Sequence, residues 1–340
     1  MKRFRILVVG CGGMSRAWLE YAVAREDAEI VGLVDIKVEN AEAKAKQFGL
    51  TVPCSSDLDA ALTGTGATLV FDVTVTESHT AVTRKAFRAG CDVFGEKPLS
   101  SSIDEARETV REAARSGRTY SVMQHRRFLK GIRAYRDCVG RLGDIGIVNA
   151  DFYIGAHFGG FRDLMESPLV LDMAIHTFDQ ARFLCGADPV SAWCREFNPG
   201  WSWYKGAASA VCVFGMSDGS VFTYRGSWCA EGAPTSWEAS WRIIGSLGTG
   251  VWDGSSPPFA ELVQPSPANA FTRDVKRVEA PGDWQGREGH QGALDEMFRA
   301  LLEGRKAETD CADNLKSLEM VFAAKESART GKTMHIALPR

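Results

Sequence analysis

The sequence lacks three features that would point to a secreted, metal-binding or membrane protein. Its nine cysteines are odd in number and form no C-x-x-C pair, which favours free thiols over a disulfide framework. No spacing typical of zinc ligands occurs, and we predict no metal site. No stretch of 18 apolar residues is present either, so we expect no membrane span.

The chain also lacks a large excess of charge of either sign. A formal net charge of −3 gives no electrostatic reason to expect binding to nucleic acid or to an anionic membrane. The first residues lack the apolar core of a signal peptide, because their short apolar run leads directly into glycines. With the free cysteines, this predicts a cytoplasmic protein. At 340 residues the chain is long for one hydrophobic core, and we expect two domains.

Near its start the sequence contains a strand pattern, a glycine-rich turn and a helix pattern. Residues 6–9 are aliphatic, as in a buried parallel strand, and Gly10, Gly12 and Gly13 follow. Glycines let the backbone turn sharply and bring N–H groups close to a pyrophosphate, to which the next helix presents its positive end. This is the dinucleotide fingerprint G-x-G-x-x-G, with Ser15 in place of the third glycine. That glycine serves helix–strand packing, so we expect a small serine to be tolerated.

A second strand pattern ends in an acidic residue. Residues 30–34 are aliphatic or glycine, and Asp35 follows, about 20 residues beyond the glycine turn. A carboxylate at this place can hold ribose hydroxyls and repel a 2′-phosphate, which favours NAD over NADP. Lys37 nearby leaves NADP as the second candidate. The alternative is that Asp35 only caps the next helix.

The first part of the chain, residues 1–123, alternates short aliphatic runs with helical patterns. This alternation predicts an α/β Rossmann domain with a doubly wound parallel sheet. The predicted helices cover residues 38–48, 79–89 and 103–115. The further predicted strands cover residues 68–74, 92–94 and 119–123.

The second part, residues 124–340, has a different composition, with eight of the nine tryptophans beyond position 190. Strand patterns cover residues 209–214, 220–224 and 238–244, and helical patterns cover residues 130–139, 169–185 and 288–302. Residues 255–268 are rich in proline and serine, and we predict a loop there. We therefore expect an α+β domain with one large, open and mostly antiparallel sheet.

One candidate cluster for chemistry is Glu96-Lys97-Pro98. It follows the carboxyl end of a predicted strand, which is the edge where open α/β sheets bind ligands. Proline biases Lys97 toward extended geometry, and this favours a side chain directed into a crevice. The alternative is a solvated Glu–Lys pair on a loop.

The other cluster is formed by Asp172, His176 and Asp179. Their spacings of four and three residues place all three on one helix face. A histidine flanked by carboxylates gains basicity and a fixed tautomer, as a general acid/base requires. The alternatives are a histidine satisfied within a buried helix and, less favoured, a metal site that combines Asp172 and His176 with His157.

These pieces, in this order, resemble the Gfo/Idh/MocA family of oxidoreductases, and the likeness covers nearly the whole chain. GEKPLS at Gly95–Ser100 is the most specific match. Thr74–His79 resembles the third-strand signature, and Leu171–Gly186 resembles the family's D-x-G-x-H-x-x-D helix with Ala174 in place of glycine. Two departures concern the glycines usually found at 167–169, here Ser-Pro-Leu, and His125, which stands where asparagine is common.

The resemblance implies an NAD(P)-dependent oxidoreductase acting on a sugar, inositol or related polyol, assembled as a homodimer or homotetramer through the second domain's sheet. Carried over to this chain, the catalytic set is Lys97, Asp172 and His176. The expected cofactor site comprises Gly10, Gly12, Gly13, Met14, Asp35, Thr74, His79, Glu96 and Lys97. Two other functions stay open. One is a hydrolase or lyase that retains NAD and oxidises a sugar transiently; the other is a non-catalytic dinucleotide sensor, which would not need the lysine and histidine.

Overall fold

A computed structural model describes residues 3–267 and 269–337. In the first part of the chain, strands and helices alternate as the sequence pattern predicts. The strands are β1 (Phe4–Val9), β2 (Ala28–Val34), β3 (Cys54–Ser55), β4 (Leu69–Asp72), β5 (Asp92–Gly95) and β6 (Tyr120–Val122). The helices are α1 (Ser15–Val23), α2 (Val38–Phe48), α3 (Leu58–Thr65), α4 (Thr76–Arg88) and α5 (Ile103–Ser116).

These six strands form one parallel sheet in the order β3-β2-β1-β4-β5-β6. Ile6, Leu7 and Val8 of β1 are fully buried, as expected for a central strand covered on both faces. The strand order reverses between β1 and β4. In doubly wound sheets this switch point opens a crevice at the carboxyl ends of the strands, where ligands bind.

In the rest of the chain, a 3-10 turn (His125–Phe128) is followed by further helices and strands, and a π-helix (Leu169–Ala174) runs directly into the helix that begins at Ile175. The helices are α6 (Lys130–Val139), α7 (Phe161–Leu164), α8 (Ile175–Cys185), α9 (Gly289–Glu303) and α10 (Cys311–Thr330). The strands are β7 (Ile145–Tyr153), β8 (Pro189–Phe197), β9 (Ser209–Met216), β10 (Val221–Ser227), β11 (Ser240–Gly245), β12 (Gly248–Trp252), β13 (Phe259–Val263), β14 (Val275–Glu279) and β15 (Met334–His335).

The second sheet has nine strands in the order β14-β13-β12-β11-β7-β10-β9-β8-β15. Its pairs are antiparallel except for β7 with β10, which is parallel. Alternate side chains point to opposite faces. On one face, Phe178 of α8 packs edge-on against Phe214 and Tyr224, with ring centroids 4.8 and 5.3 Å apart. On the other face, Ile147 and Val221 are exposed.

The chain forms two compact units, which we call the first and the second unit. The first contains the chain up to His125 together with Glu288–Leu315, and the second contains Arg126–Arg287 together with the chain from Lys316 onward. The segment Glu288–Leu315, which we assigned to the second domain, therefore packs in the first unit. The reason is that α9 places Phe298 against Phe4 and Phe94, with ring centroids 5.0 and 5.1 Å apart. Its amphipathic pattern predicted the helix but not the surface that it covers.

Two predicted elements differ from the structure. The predicted helix over 169–185 is interrupted, because its first part is a π-helix. The predicted loop over 255–268 is wrong in part, since it contains the strand Phe259–Val263; Ala268 lies outside the described residues. Prolines 257 and 258 lie just before this strand, where they block no ladder hydrogen bond, and so they mark its start rather than its absence.

The described residues also bear on the expectations drawn from composition. No helix there has the length and apolar character needed to cross a bilayer. No group of three or more His, Cys, Asp or Glu side chains there is arranged to hold a metal ion. All nine cysteines are free thiols.

Candidate active site

The glycine turn after β1 lies at the switch point of the parallel sheet. Gly10 has a φ of +89°, and a Cβ atom there would lie 2.5 Å from the carbonyl oxygen of Val73, so only glycine fits. Gly12 and Gly13 differ, because a Cβ at either position would meet no atom within 4 Å. The turn thus borders open space on the side where a pyrophosphate is expected.

Ser15, which replaces the third glycine of the fingerprint, is the first residue of α1. It is fully buried, and its hydroxyl donates a hydrogen bond of 2.7 Å to the carbonyl oxygen of Gly12. The serine therefore satisfies its own polar group inside the turn. Met14, beside it, is half exposed.

Asp35 connects the glycine turn to the start of α2. Its Oδ2 accepts a hydrogen bond of 2.8 Å from the backbone N–H of Cys11, and its Oδ1 accepts from the N–H of Lys37 and from Asn40 at 2.9 and 3.1 Å. The carboxylate therefore braces the turn and the segment before α2, but it does not cap the helix as the alternative supposed, because Lys37 is the N-cap residue and no side chain caps this end. A carboxylate has about four acceptor positions, so these three bonds leave capacity for a ribose hydroxyl.

His79, a predicted cofactor residue, lies in the first turns of α4 and is 1% exposed. Its Nδ1 is 3.0 Å from Oδ2 of the buried Asp72, whose Oδ1 accepts a 2.6 Å hydrogen bond from the hydroxyl of Thr74. Burial on its own would lower the pKa of His79, but the charge and hydrogen bond of Asp72, together with the charges of Glu96 and Glu77, raise this pKa above its ordinary value. In the structure His79 thus supports the loop that carries Thr74.

Glu96 and Lys97 follow β5 at the same edge of the sheet. Glu96 is buried, and its Oε1 accepts a 2.8 Å hydrogen bond from the indole N–H of Trp18. Its Oε2 accepts from the backbone N–H of Lys97 at 3.3 Å. Burial would raise the pKa of Glu96, but interactions with His290, Trp18 and Lys97 hold it below its ordinary value. Glu96 is therefore ionised at neutral pH.

In the second unit, Asp172 lies within the π-helix. Its Oδ2 accepts a 2.6 Å hydrogen bond from Nε of Arg162 in α7, so the two side chains form an ion pair. The guanidinium of Arg162 also lies over the rings of Phe158 and Phe161, at 5.1 and 4.7 Å from their centroids. π-helical turns are rare and are frequent at functional sites.

His176 follows in the first turn of α8 and is 5% exposed. The third member of the predicted cluster, Asp179, is taken up by other groups. Its carboxylate accepts two hydrogen bonds from Arg127 at 2.7 and 2.6 Å, and one from the hydroxyl of Ser317 at 2.7 Å. Asp179 is thus a structural residue that joins α8 to neighbouring segments. Its predicted place on one helix face with His176 suggests a role beside the imidazole, which these bonds do not support.

Three side chains that contact the candidate site residues were not predicted from the sequence: Trp18, Arg162 and His290. Trp18 is an apolar position of α1 by pattern, and only the structure shows its N–H on Glu96. Arg162 is ten residues before Asp172, a separation that no helix or strand periodicity connects. The sequence places His290 at the start of the predicted helix over 288–302, but nothing in the pattern connects it to Glu96.

These residues fit a nicotinamide dinucleotide. Gly12 and Gly13 leave space above the turn, α1 starts directly behind them, and Asp35 retains acceptor capacity at the neighbouring strand end. Helix N-termini and glycine turns of this kind bind phosphates. Lys97 lies at the carboxyl end of β5 in the same unit.

Comparison with known proteins agrees with this geometry. A family model described as an oxidoreductase family with an NAD-binding Rossmann fold matches residues 4–124, and the model of the GFO/IDH/MocA C-terminal domain matches residues 138–251. The fold and the matched models define an NAD-binding oxidoreductase. More narrowly, the chain belongs to the Gfo/Idh/MocA family, as its motifs suggested.

Individual relatives match over almost the entire chain. The D-apiose dehydrogenase of Paraburkholderia graminis is 30% identical, over 99% of this chain and 90% of that one. An uncharacterised protein of Sinorhizobium fredii is 26% identical, over 98% of this chain and 96% of that one. The crystal structure of an Agrobacterium radiobacter oxidoreductase with NAD+, L-tartaric acid and magnesium superposes with a TM-score of 0.84 at 22% identity, covering 98% of each chain. At this identity, the last match shows the fold alone.

Proposed function

We propose that this oxidoreductase transfers hydride between NAD and a secondary alcohol of a sugar, inositol or related polyol, with Lys97, Asp172 and His176 as its catalytic residues. The observation that carries the proposal is the placement of an open glycine turn and a lysine at the carboxyl edge of one parallel sheet. The name of the Paraburkholderia graminis relative, a sugar dehydrogenase, supports the substrate class.

The three residues divide the work of alcohol oxidation. The imidazole of His176 accepts the proton of the substrate hydroxyl as the C–H bond breaks. The ammonium of Lys97 stabilises the negative charge that develops on the substrate oxygen. NAD, when bound, supplies the hydride acceptor. In the reductive direction, His176 returns the proton.

Asp172 orients the substrate hydroxyl or the imidazole. The ion pair with Arg162 supports this role, because it fixes the carboxylate in the π-helix ahead of α8. The guanidinium of Arg162 in turn lies over the rings of Phe158 and Phe161, and these contacts help to hold its side chain in place.

We propose that NAD is preferred over NADP, and that the protein acts in the cytoplasm. Asp35 supports the first statement, because its carboxylate would repel a 2′-phosphate. The nine free cysteines support the second, since disulfides are rare in reducing compartments. Titration of the protein with NADH and NADPH, followed by nicotinamide fluorescence, tests the preference, and equal affinities would contradict it.

The decisive experiment is a panel of sugars, inositols and polyols assayed for absorbance at 340 nm with NAD and with NADP. The proposal expects NAD reduction with at least one member of the panel. Product analysis covers the other candidates. A cleaved glycoside without net NADH would support the hydrolase or lyase, and dinucleotide binding without turnover of any substrate would support the sensor.

We further propose a homodimer or homotetramer formed through the open face of the nine-stranded sheet. Ile147 and Val221, register partners on β7 and β10, are both exposed on this face. A second copy would remove such apolar surface from water. Light scattering on Ile147→Asp and Val221→Asp should show smaller particles than the wild type, whereas Val23→Asp, at an exposed position of the first unit, should not.

A further inference from the structure

The side chain of Glu96 carries a buried negative charge, although its hydrogen bond with Trp18 does not require a charged acceptor. Trp18 is fully buried against Phe71, with ring centroids 4.9 Å apart, and Glu96 Oε1 is the acceptor for its indole N–H. A neutral side chain such as glutamine could accept the same hydrogen bond. Burying a carboxylate instead costs desolvation energy, which its surroundings must offset.

The surroundings of this carboxylate come from distant parts of the chain. Trp18 lies in α1, one turn after the glycine loop, and Lys97 follows Glu96 directly. His290, in the first turn of α9, places its Nε2 3.8 Å from Glu96 Oε1 and stacks on His125, with ring centroids 4.3 Å apart. All of these residues belong to the first unit. The segment Glu288–Leu315 thus brings an imidazole to the strand end that carries the lysine.

The two oxygens of Glu96 have separate partners. Oε1 accepts a hydrogen bond from the indole N–H of Trp18, and this bond holds the carboxylate against α1. Oε2 accepts a hydrogen bond from the backbone N–H of Lys97. The carboxylate of Glu96, held by Trp18, therefore holds the backbone N–H of the residue that carries the Lys97 side chain. A rotation of Glu96 would release both bonds together. The same inward bonds direct Glu96 away from solvent, which argues against the direct cofactor contact expected from the sequence.

We propose that Glu96, held by Trp18 and His290, is a positioning residue that fixes Lys97 for catalysis, and that it is not a cofactor ligand. This inference rests on the proposed role of Lys97. Trp18 and His290 then have a function, which is to hold Glu96. Helix α1 has two roles, because it follows the dinucleotide turn and also supplies the Trp18 side chain that helps to position Lys97. Removing the hydrogen bond between Trp18 and Glu96 should then lower turnover and leave the affinity for the dinucleotide unchanged.

The test uses Trp18→Phe, Glu96→Gln and the double variant, with a substrate found in the panel. Trp18→Phe keeps the ring and deletes the N–H, and Glu96→Gln keeps an acceptor and deletes the charge. We expect kcat to fall about tenfold or more in each, the loss expected from one charge-assisted hydrogen bond. The Kd for NADH, measured by fluorescence, should stay within about threefold, because the proposal places neither side chain on the cofactor.

The double variant gives the sharper result. If both residues act through one carboxylate, Trp18→Phe/Glu96→Gln loses little more than the worse single variant, since coupled residues are not additive. In a Lys97→Met background, Glu96→Gln should cause no further loss. His290→Phe, which keeps a stacking ring, should reduce kcat less than Trp18→Phe, because its contact with Glu96 is longer.

Trp252→Phe is the matched control. It deletes an indole N–H that donates a hydrogen bond of 2.9 Å to the carbonyl oxygen of Ser256. Like Trp18, Trp252 is buried, but it lies in the second unit. It should leave kcat unchanged. Additive losses from Trp18→Phe and Glu96→Gln, or a weakened Kd for NADH with unchanged kcat, would overturn the positioning role while the proposed function stands. A wild type inactive on the whole panel would overturn both, and circular dichroism of each variant excludes misfolding as the cause of a loss.

Discussion

The two units hold their proposed catalytic residues in different ways. In the first unit, Lys97 sits at the end of a strand in a parallel sheet, and buried hydrogen bonds from the neighbouring elements fix the residues beside it. In the second unit, Asp172 lies on a π-helix and is paired with Arg162 from a helix of only four residues. One arrangement depends on backbone geometry and burial, and the other on a partly exposed ion pair.

The difference indicates where each unit tolerates change. Strand ends in a six-stranded sheet are positioned by many backbone hydrogen bonds, so we expect a side-chain substitution there to leave the backbone of the turn in place and to act on the neighbouring side chains. The Arg162–Asp172 pair is held by a short segment with Phe161 and Leu164 exposed beside it. We therefore expect substitutions in the first unit to separate binding from catalysis, and substitutions near Arg162 to affect the reacting geometry itself.

The largest effect is expected from the reacting groups, where the two units should be equally sensitive. Lys97→Met and His176→Asn should each lower kcat by about 10²–10⁴-fold, the range for loss of one acid/base or charge-stabilising group. NADH formation at 340 nm measures both. Lys85→Met is the control, because Lys85 is half-buried in α4 and pairs with the exposed Asp59, away from the strand ends. Near-normal turnover of either catalytic variant would remove that residue from the proposed set.

The glycine turn should show that backbone geometry dominates in the first unit. Gly10→Ala places a Cβ 2.5 Å from the carbonyl oxygen of Val73 at a positive φ, and we expect a loss of about 1–3 kcal/mol in unfolding free energy. Gly12→Ala meets no atom and should change stability by less than about 0.5 kcal/mol. Its methyl group would occupy the space above the turn, so the affinity for NADH should fall. Urea unfolding and fluorescence titration separate the two effects, and equal stability of both variants would contradict the strain at Gly10.

A smaller loss is expected from the ion pair of the second unit. Arg162→Gln removes the charged partner of Asp172 and should lower kcat/KM about tenfold, the cost of one charge-assisted hydrogen bond. Arg329→Gln deletes an arginine that bonds Glu326 at 2.8 and 2.6 Å on the exposed side of α10, and it should change nothing. If the two variants behaved alike, Asp172 would be positioned without Arg162.

The smallest effect concerns the buried His79–Asp72 pair. Burial lowers the pKa of His79, but the neighbouring carboxylates, with Asp72 first among them, raise it by more. The pKa in the folded state therefore lies above the value of about 6.5 in the unfolded state. The stabilisation is complete below about pH 6.5 and disappears as the pH rises through the folded pKa. The difference in unfolding free energy between the wild type and His79→Gln should thus shrink from pH 6 to pH 9. His335→Gln, at an exposed position, should show no such trend, and a constant difference for His79→Gln would contradict the raised pKa.

The sequence predicted the features of this protein that depend on local backbone chemistry. The glycines after β1, the acid after β2 and the lysine after β5 all follow strand ends, and strand ends can be inferred from aliphatic runs. The helices at 38–48 and 130–139 were predicted with the observed bounds.

Features that depend on tertiary contacts could not be predicted. Nothing in the sequence distinguishes a tryptophan that packs from one whose N–H reaches a carboxylate 78 positions away, as Trp18 does. The sequence pattern predicted one regular helix over 169–185 and gave no sign that Asp172 lies in a π-helix. Asp179 satisfied the same spacing but is bonded to Arg127 and Ser317, which lie in other segments.

The return of α9 to the first unit has a consequence for dissecting the molecule. A fragment that ended near residue 125 would leave Phe4 and Phe94 without the ring of Phe298 and would expose an aromatic patch to water. Such a fragment should aggregate when expressed alone. Recombination that exchanges one unit between relatives must therefore transfer two separate stretches of the gene together, because the chain up to residue 125 and residues 288–315 form a single inheritable module.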